Sequence, residues 1–254
     1  MDIKIIVAAH KAYRFPTDAM YLPVHAGKAL HPELDLGFLG DDTGENISEK
    51  NPNFCELTCL YWAYQNLQAE YVGLAHYRRH FARPALSDKW QRILTKKQLE
   101  QLLKKAPVVL PKKRNYFIET NYQQYIHAHH KADLEQTENI LREYYPEYLP
   151  AYEKCMASTK GHRFNMFVMR QDLFRDYCQW LFDILFQLED RLDISHYSAY
   201  DARVFGFVAE RLLDVWILTN QISYVEAPVC NMENQHWGKK ILDFLKRKYL
   251  KKKE

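Results

Sequence analysis

The chain has 254 residues, of which 47% are hydrophobic and 26% charged, so it can bury one large core or two smaller cores that share an interface. The formal net charge is +3, but residues 239–254 hold eight Lys or Arg and two carboxylates, a local +6 that leaves the rest at about −3. Nucleic-acid-binding domains usually carry positive charge as a stripe across the folded surface, so we expect no nucleic-acid partner. We expect one domain over residues 1–238 and a basic amphipathic tail over residues 239–254.

The cysteines and the N-terminus predict a cytoplasmic protein. The five cysteines are an odd number without a C-x-x-C pair, and Cys55 and Cys59 lie four apart in an apolar, helix-like stretch. Buried free thiols are the ordinary state of such cysteines in a reducing compartment. The N-terminal apolar run is too short for a signal peptide, and no later stretch approaches the roughly 18 apolar residues that a membrane span needs.

Strands and helices alternate along the sequence. Residues 3–10 form a β-branched run typical of a strand, and residues 34–42 are a second strand candidate. A helix is predicted to begin near residue 54, where Asn53 and Glu56 have the spacing of a capping box. The remaining predicted strands are 71–76, 106–112, 163–169 and 222–229, and the remaining predicted helices are 95–105, 121–145, 172–192 and 200–218. This order predicts an α/β sheet covered on both faces.

Polar clusters follow three of the predicted strands. In open α/β sheets, ligands bind beyond the carboxyl ends of the strands, so the three clusters predict a shared site. Arginine forks and a lysine suit a diphosphate, although one arginine could instead pair with an acidic neighbour while the other lies in solvent. The clusters are His10 and Lys11, then Asp41 and Asp42, then His76, Tyr77, Arg78, Arg79 and His80.

The loop GDDTGENISEKN, residues 40–51, is rich in groups that bind ligands or form turns. Its carboxylates and the amides of Asn46 and Asn51 could face a ligand, but Asp and Asn beside Gly also form tight surface turns. The loop lacks both the P-loop spacing and the dinucleotide-binding glycine pattern.

The stretch YIHAHHKADL concentrates histidines. His127, His129, His130 and Asp133 could form the metal site of a hydrolase. Zinc usually requires three well-placed ligands and hydrogen-bonding partners behind them, and histidine clusters more often face solvent or a ligand. We therefore predict no metal site here.

Several long motifs occur in an order that resembles a bacterial glycosyltransferase family long catalogued as a domain of unknown function. They are GDDTGENIS with KNPNFCELTCLYWAYQN, then YVGLAHYRRHF, then FNMFVMR with YCQWLFDIL, then DARVFGFVAERLLDVWI. Members lie in capsule, exopolysaccharide and lipopolysaccharide O-antigen gene clusters. The resemblance implies a single GT-A-like, Rossmann-type mixed sheet flanked by helices. It also implies sugar transfer from a nucleotide diphosphate donor, with a UDP-sugar expected, and some relatives are described as galactosyl- or galactofuranosyltransferases.

The resemblance also implies roles for particular residues. Many GT-A enzymes hold a divalent cation with an Asp-x-Asp at the end of a central strand, and the similar place in this sequence reads His76-Tyr77-Arg78. We therefore expect fixed cations to neutralise the donor diphosphate without an obligatory metal. The alternative is a metal held by His76 with Asp41 or Asp42. The predicted donor-binding residues are His10, Lys11, Asp41, Asp42, Asn46, Asn51, His76, Tyr77, Arg78 and Arg79; the predicted base is Asp201; and His127, His129, His130 and Asn165 are placed at the acceptor or sugar rim.

The tail predicts a membrane contact. Ile241, Leu242, Leu245 and Tyr249 fall on one helical face and Lys or Arg on the rest, a pattern of helices that lie on anionic bilayers and also of solvated helix ends. A glycan or polyprenyl-diphosphate-linked acceptor would suit a peripheral location at the inner face of the cell membrane. The alternative functions are the metal-dependent hydrolase and a non-catalytic glycan-binding protein.

Overall fold

The computed structural model describes residues 1–84 and 88–233, in which an eight-stranded mixed sheet is covered on both faces. The strands are β1 Ile3–Ala9, β2 Tyr21–His25, β3 Tyr71–His76, β4 Arg79–Phe81, β5 Val108–Pro111, β6 Arg114–Asn115, β7 Lys160–Gly161, β8 Phe167–Arg170, β9 Val225–Ala227 and β10 Val229–Asn231. The α-helices are α1 Asn51–Phe54, α2 Leu57–Asn66, α3 Lys89–Arg92, α4 Lys96–Leu103, α5 Asn121–Ile126, α6 Lys131–Tyr144, α7 Leu149–Ala157, α8 Gln171–Arg191 and α9 Val204–Thr219.

The strand order places several carboxyl ends at one edge of the sheet. Strand β1 lies parallel to both β2 and β3, and β8 lies antiparallel between β3 and β5. Because β8 is reversed relative to both neighbours, β1, β3 and β5 run in the same direction. Strand β4 extends the sheet from the end of β3 and pairs with β10, while β6 and β7 form a separate two-stranded ribbon.

Alternating side chains on the central strands divide the core into two layers. Ile6 and Leu74 pack on the face covered by α2, α6, α8 and α9, whereas Ile5 and Ala75 pack on the face covered by α4. Successive residues of a strand point to opposite faces, so both faces of a doubly covered strand must be apolar. The prediction of an α/β sheet covered on both faces, with helices at its flanks, is confirmed.

The predicted strand at residues 34–42 is wrong. Of these residues, Gly40 makes a bridge to His25, while Gly37 has a left-handed φ of 74°. The place beside β1 is taken by β2, whose Pro23 discourages a strand assignment from sequence. Proline is tolerated here because β2 lies at an edge and pairs along its length with β1 alone in the described residues.

Four other predicted elements differ from the structure where the backbone turns. The strand predicted at 222–229 is divided at Pro228 into β9 and β10, which pair with different strands. The helix near residue 54 is broken at Cys55, and the predicted capping box is wrong because Asn53 lies inside α1 and donates to the Ala202 carbonyl oxygen. The strand at 163–169 begins only at Phe167. The helix at 121–145 is divided into α5 and α6. The predicted tail helix lies outside the described residues, and within them no helix has the length and apolarity to cross a membrane.

Candidate active site

A cavity of about 450 Å³ lies at the carboxyl ends of β1 and β3. The register pairs Ala8 with His76, so the residues that follow both strands meet at one point. The break between α1 and α2 forms the opposite wall. The lining residues are Ala8, Ala9, His10, Ala26, Asn51, Pro52, Cys55, Glu56, His76, Tyr77, Arg78 and Arg203.

Backbone strain is concentrated around this cavity. Cys55 has φ 53° and ψ −129°, and the consecutive residues Phe164 and Asn165 have φ of 79° and 52°. These conformations are unfavourable for residues with a side chain, at a cost of about 1–3 kcal/mol each, and such strain often occurs at functional sites. With these backbone conformations, the side chains of Glu56 and Asn165 face each other.

Three side chains, those of Asn165, Glu56 and His76, lie close together at the cavity wall. Asn165 donates from Nδ2 to Glu56 Oε1 at 2.8 Å and to the Gly206 carbonyl oxygen at 3.1 Å. His76 Nε2 lies 4.0 Å from the same Glu56 oxygen and bonds to the Phe164 carbonyl oxygen. A carbonyl oxygen only accepts, so Nε2 carries the proton and Nδ1 is left as an acceptor. The Glu56 carboxylate is thus held in a fixed orientation at the cavity wall.

Guanidinium and ammonium groups surround the cavity mouth. Arg78 lies 3.4 Å from Glu233 and Lys11 lies 3.8 Å from the same carboxylate. On the opposite wall, Arg203 donates from Nε to Cys55 Sγ at 3.1 Å. Arg79 is turned away, with its guanidinium 4.4 Å from the centre of the Phe164 ring. The two consecutive arginines therefore have different surroundings, and of the pair it is Arg78 that lines the cavity.

The surroundings of the two cavity histidines favour the neutral imidazole. Burial lowers the pKa of His76, and the nearby Arg79 adds to this effect while Glu56 opposes it. Burial also lowers the pKa of His10, with further contributions from Lys11 and Arg78. A neutral imidazole can accept a proton or a hydrogen bond near pH 7.

The acidic loop supports the cavity from behind. The Asp41 carboxylate is fully buried and accepts from the Gly27 and Lys28 amides at 3.0 and 3.1 Å, as well as from the Ser48 hydroxyl. Asp42 is exposed, and the amide of Asn46 bonds within its own loop. Of the four loop residues predicted to bind the donor, the structure places Asn51 in the cavity wall and uses Asp41 to hold the loop together.

The histidine cluster does not converge on one point. His127 Nδ1 bonds to Glu119 at 2.9 Å, while His129 Nδ1 lies 3.3 Å from Asp201. His130 stacks on Tyr197 at 3.9 Å, and Asp133 is buried, accepting from Tyr125 and Tyr197. Across residues 1–84 and 88–233, no three His, Cys, Asp or Glu side chains are grouped as ligands of a metal ion. The hydrolase alternative and the grouping of His76 with Asp41 or Asp42 both lack the arrangement they require.

The predicted base Asp201 lies at the edge of the cavity wall, two residues before Arg203. Its carboxylate accepts from the Ser198 hydroxyl at 2.6 Å, and this bond, with a further contribution from His129, lowers its pKa. Glu56 and Arg203 line the cavity although sequence reasoning assigned neither to the site. Glu56 was visible as a polar residue in an apolar helix, but the spacing indicated a helix cap. Only the fold shows that it faces Asn165.

Comparison with known proteins identifies the family. Residues 4–221 match the family described as "Domain of unknown function (DUF4422)". The chain belongs to the DUF4422 family. This confirms the resemblance inferred from the motifs. No protein among those with curated functions matches the chain.

A DUF4422 chain of this fold also resembles part of a solved structure. The apo structure of the WbbM bifunctional glycosyltransferase matches with a TM-score of 0.84 and 34% sequence identity, over 92% of this chain and 46% of that chain. The chain thus spans less than half of the longer protein. At this level of identity the shared sheet and helices show that the DUF4422 domain has the fold of one portion of that glycosyltransferase.

Within the DUF4422 domain, the cavity combines three chemical capabilities. Arg78 and Arg203 provide permanent positive charge for an anionic ligand, and Glu56 provides a carboxylate at a fixed position. His10 and His76 provide neutral imidazoles. A cation-lined cleft with one oriented carboxylate can hold a phosphorylated ligand and take up a proton beside it.

Proposed function

We propose that the chain is a glycosyltransferase that moves a sugar from a nucleotide diphosphate donor to a hydroxyl group of a glycan acceptor. The observation that carries this proposal is the cation-lined cavity at the carboxyl ends of β1 and β3, in a fold shared with part of a glycosyltransferase. The family resemblance supports a UDP-sugar, with galactose or galactofuranose as the transferred residue. These sugars are hexoses, which makes the activity that of a hexosyltransferase.

The donor diphosphate is proposed to lie between Lys11, Arg78 and Arg203. In the structure the Glu233 carboxylate lies between Lys11 and Arg78, and a phosphate would take its place. When the bond from the anomeric carbon to the diphosphate oxygen breaks, its electron pair remains on that oxygen. Fixed cations stabilise the developing charge without having to reorganise. Asn51, His10, His76 and Tyr77 complete the proposed donor pocket. A metal bound with the donor is not required by this arrangement.

The acceptor hydroxyl must lose its proton as it attacks the anomeric carbon. Two carboxylates are proposed for this step. Glu56 lies in the cavity wall and is oriented by Asn165. Asp201, the base predicted from sequence, lies beside the wall and is bonded to Ser198 and His129. The geometry favours Glu56 because its carboxylate already faces the space that the donor would occupy.

The acceptor is proposed to approach along an aromatic surface next to Arg203. The Arg203 guanidinium lies 5.9 Å from the Tyr200 ring centre and 5.4 Å from that of Phe207. His129 stacks on both rings, at 5.7 and 4.2 Å. Aromatic faces of this kind pack well against sugar rings. His130 therefore stays a proposed rim residue, while His129, whose side chain is buried, would support the aromatic surface from behind. His127 faces Glu119 on another surface.

The biological setting is proposed from the same resemblance. A polyprenyl-diphosphate-linked glycan of a surface polysaccharide is the proposed acceptor, handled in the cytoplasm at the inner face of the membrane. The division into a domain at residues 1–238 and a membrane-contacting tail at residues 239–254 belongs to this proposal.

Nucleotide binding to wild type and two arginine variants tests the proposal. Thermal unfolding is followed with UDP, other nucleoside diphosphates and their sugar conjugates, with and without manganese. We expect one nucleotide to raise the unfolding temperature of wild type, and Arg78→Ala to weaken its binding by about tenfold or more. The matched control is Arg170→Ala, which removes a surface guanidinium paired with Asp172 beside Tyr71, at the opposite edge of the sheet.

The results of this experiment distinguish a glycosyltransferase from a non-catalytic glycan-binding protein. Loss of the shift in Arg78→Ala but not in Arg170→Ala, together with release of nucleoside diphosphate on adding a glycan acceptor, supports the transferase. A chain that binds glycans while no nucleotide shifts its unfolding would instead be a non-catalytic glycan-binding protein.

A further inference from the structure

We propose that the turn at Phe117 and Ile118 is a membrane-contacting element that inserts its two side chains into an anionic phospholipid bilayer. Phe117 is 80% exposed and Ile118 is 62% exposed, the two highest values among the large apolar side chains of the described residues. Two adjacent apolar side chains that project into solvent cost hydration free energy unless a partner covers them.

Hydrogen bonds within the turn and on both sides of it fix its projecting conformation. Ile118 N donates to the Tyr116 carbonyl oxygen at 2.7 Å, and Phe117, at the tip, has a left-handed φ of 60°. On one side the Tyr116 amide donates to the Thr159 carbonyl oxygen at 2.9 Å. On the other, Glu119 is bonded to His127. The exposure of Phe117 therefore results from a defined and strained conformation, which points to a function for the projection.

The surface around the turn is cationic. Strand β5 is followed by Lys112 and Lys113, and Lys160 pairs through its backbone with Asn115 on the adjacent strand. Lys154 and Lys160 are exposed on the rim of a cavity that Lys113 also lines. Of the carboxylates near this surface, Asp214 and Glu226 are bonded to His162 and Glu119 is bonded to His127, whereas Glu153, next to Lys154, is exposed.

Apolar side chains at the tip and lysines behind them match the two layers of an anionic bilayer surface. Phenylalanine and isoleucine enter the boundary between headgroups and acyl chains, while nearby lysines are attracted to anionic lipid headgroups. A protein partner would more often meet a broad apolar patch with a polar rim than two protruding residues with lysines nearby. Charge complementarity therefore selects the anionic bilayer as the occupant.

The position of the turn adds a geometric reason. Strand β5 runs in the same direction as β3, so the segment that leads into the turn starts at the edge of the sheet where the cavity lies. The guanidinium of Arg114 lies 5.4 Å from the Phe164 ring, and the Phe164 carbonyl oxygen bonds to His76 in the cavity. Insertion of the turn would bring this edge toward the membrane, where, under the proposed function, a lipid-linked acceptor is located.

Vesicle binding of the full chain tests the inference without using transferase activity. Vesicles of phosphatidylcholine with phosphatidylglycerol are compared with phosphatidylcholine alone, for wild type and Phe117→Ser/Ile118→Ser. We expect wild type to co-sediment with the anionic vesicles, and the double variant to bind on the order of tenfold more weakly. The matched control is Tyr144→Ser, which removes an aromatic side chain that is 51% exposed at the end of α6.

A second measurement reports insertion directly. Phe117→Trp should gain a fraction of fluorescence that brominated phospholipids quench, beyond that of wild type. Because the tail at residues 239–254 is unchanged in every variant, binding through the tail alone would leave the double variant equal to wild type and overturn the inference. Failure of wild type to bind anionic vesicles, no added quenching in Phe117→Trp, or a dimer that only the double variant disrupts would overturn it as well.

Discussion

Glu56 occupies its position through contacts that are distant in sequence. Its Oε1 accepts from Asn165, which is 109 residues away, and Asn165 is oriented in turn by the Gly206 carbonyl oxygen of α9. The side-chain oxygen of Asn165, Oδ1, is buried without a hydrogen-bond partner among the described residues. A fixed carboxylate beside a cation-lined cavity has the orientation that a proton acceptor needs.

Neutralising Glu56 without changing its shape separates the two proposed bases. Glu56→Gln keeps an oxygen that can accept from Asn165 but removes the negative charge. We expect turnover to fall by about 100-fold or more in Glu56→Gln, because general-base catalysis typically contributes that much. Asp201→Asn, which alters a carboxylate outside the cavity lining, should lower turnover by less than about tenfold. Steady-state release of nucleoside diphosphate measures both.

The reverse ranking would return the role of base to Asp201. If neither variant loses turnover, a carboxylate base is excluded from both positions. Unfolding temperatures close to that of wild type must accompany each result, since the Glu56 bond to Asn165 also joins α2 to the start of β8.

Two glycines lie where the elements around the cavity pack together, and they differ in the space available for a side chain. Gly73 lies in the middle of β3, paired with Ile5 on β1 and with Val168 on β8. A Cβ on Gly73 would lie 2.7 Å from the Phe167 carbonyl oxygen. Gly206 lies in the first turns of α9, over the break between α1 and α2. A Cβ there would meet Cys55 Cβ at 3.6 Å, an ordinary contact.

Alanine substitutions at these glycines should therefore differ in sign. We expect Gly73→Ala to lower the free energy of unfolding by about 1–3 kcal/mol, because backbone atoms of β8 must move to admit the methyl group. Gly206→Ala should be neutral or stabilising by up to about 1 kcal/mol, because alanine favours a helix interior over glycine. Urea unfolding monitored by tryptophan fluorescence measures both. Equal stability of Gly73→Ala and wild type would contradict the close packing of β3 against β8.

Elements with a strong local signal were predictable from the sequence. The apolar run of β3 and the long amphipathic pattern of α8 fix their own extent. Strand β2 was not predictable, because Pro23 weakens its signal and its place is determined by pairing with β1. The break at Cys55 depends on tertiary contacts with Arg203 and α9, which a local pattern does not contain.

The cavity residues, too, were predictable from the sequence only where strand order brings them together. His10, His76, Tyr77 and Arg78 meet because residues after parallel neighbouring strands must meet, which the strand order alone predicts. Arg203 joins them from the far wall through the packing of α9, so its inclusion required the structure. Asp41 has the composition of a ligand-binding residue, but the amides and hydroxyl around it make it a support for the loop.

At the scale of the whole molecule, a buried group that titrates joins two segments that are distant in the sequence. His129 lies where the loop between α5 and α6 packs on α9, with its side chain 6% exposed and its ring 4.2 Å from that of Phe207. Burial lowers the pKa of His129 to about 4, although its bond to Asp201 opposes this effect. In the unfolded chain the same imidazole titrates near 6.5.

The stability of the molecule should therefore decrease as the pH falls from 6.5 toward 4. In that range the unfolded chain binds a proton at His129 that the folded chain does not, which lowers the free energy of unfolding by up to about 3 kcal/mol at the lower limit. The variant His129→Gln keeps a donor for Asp201 but cannot titrate. Its free energy of unfolding should therefore depend less steeply on pH than that of wild type, by up to about 1.4 kcal/mol per pH unit. Urea unfolding at intervals between pH 7.5 and 4.5 measures the slopes above the range where Asp201 itself is protonated. If the free energy of unfolding of wild type and of His129→Gln changed equally with pH, His129 would bind its proton as readily in the folded protein as in the unfolded chain. The packing of His129 between Phe207 and Asp201 would then not oppose a positive charge on the imidazole.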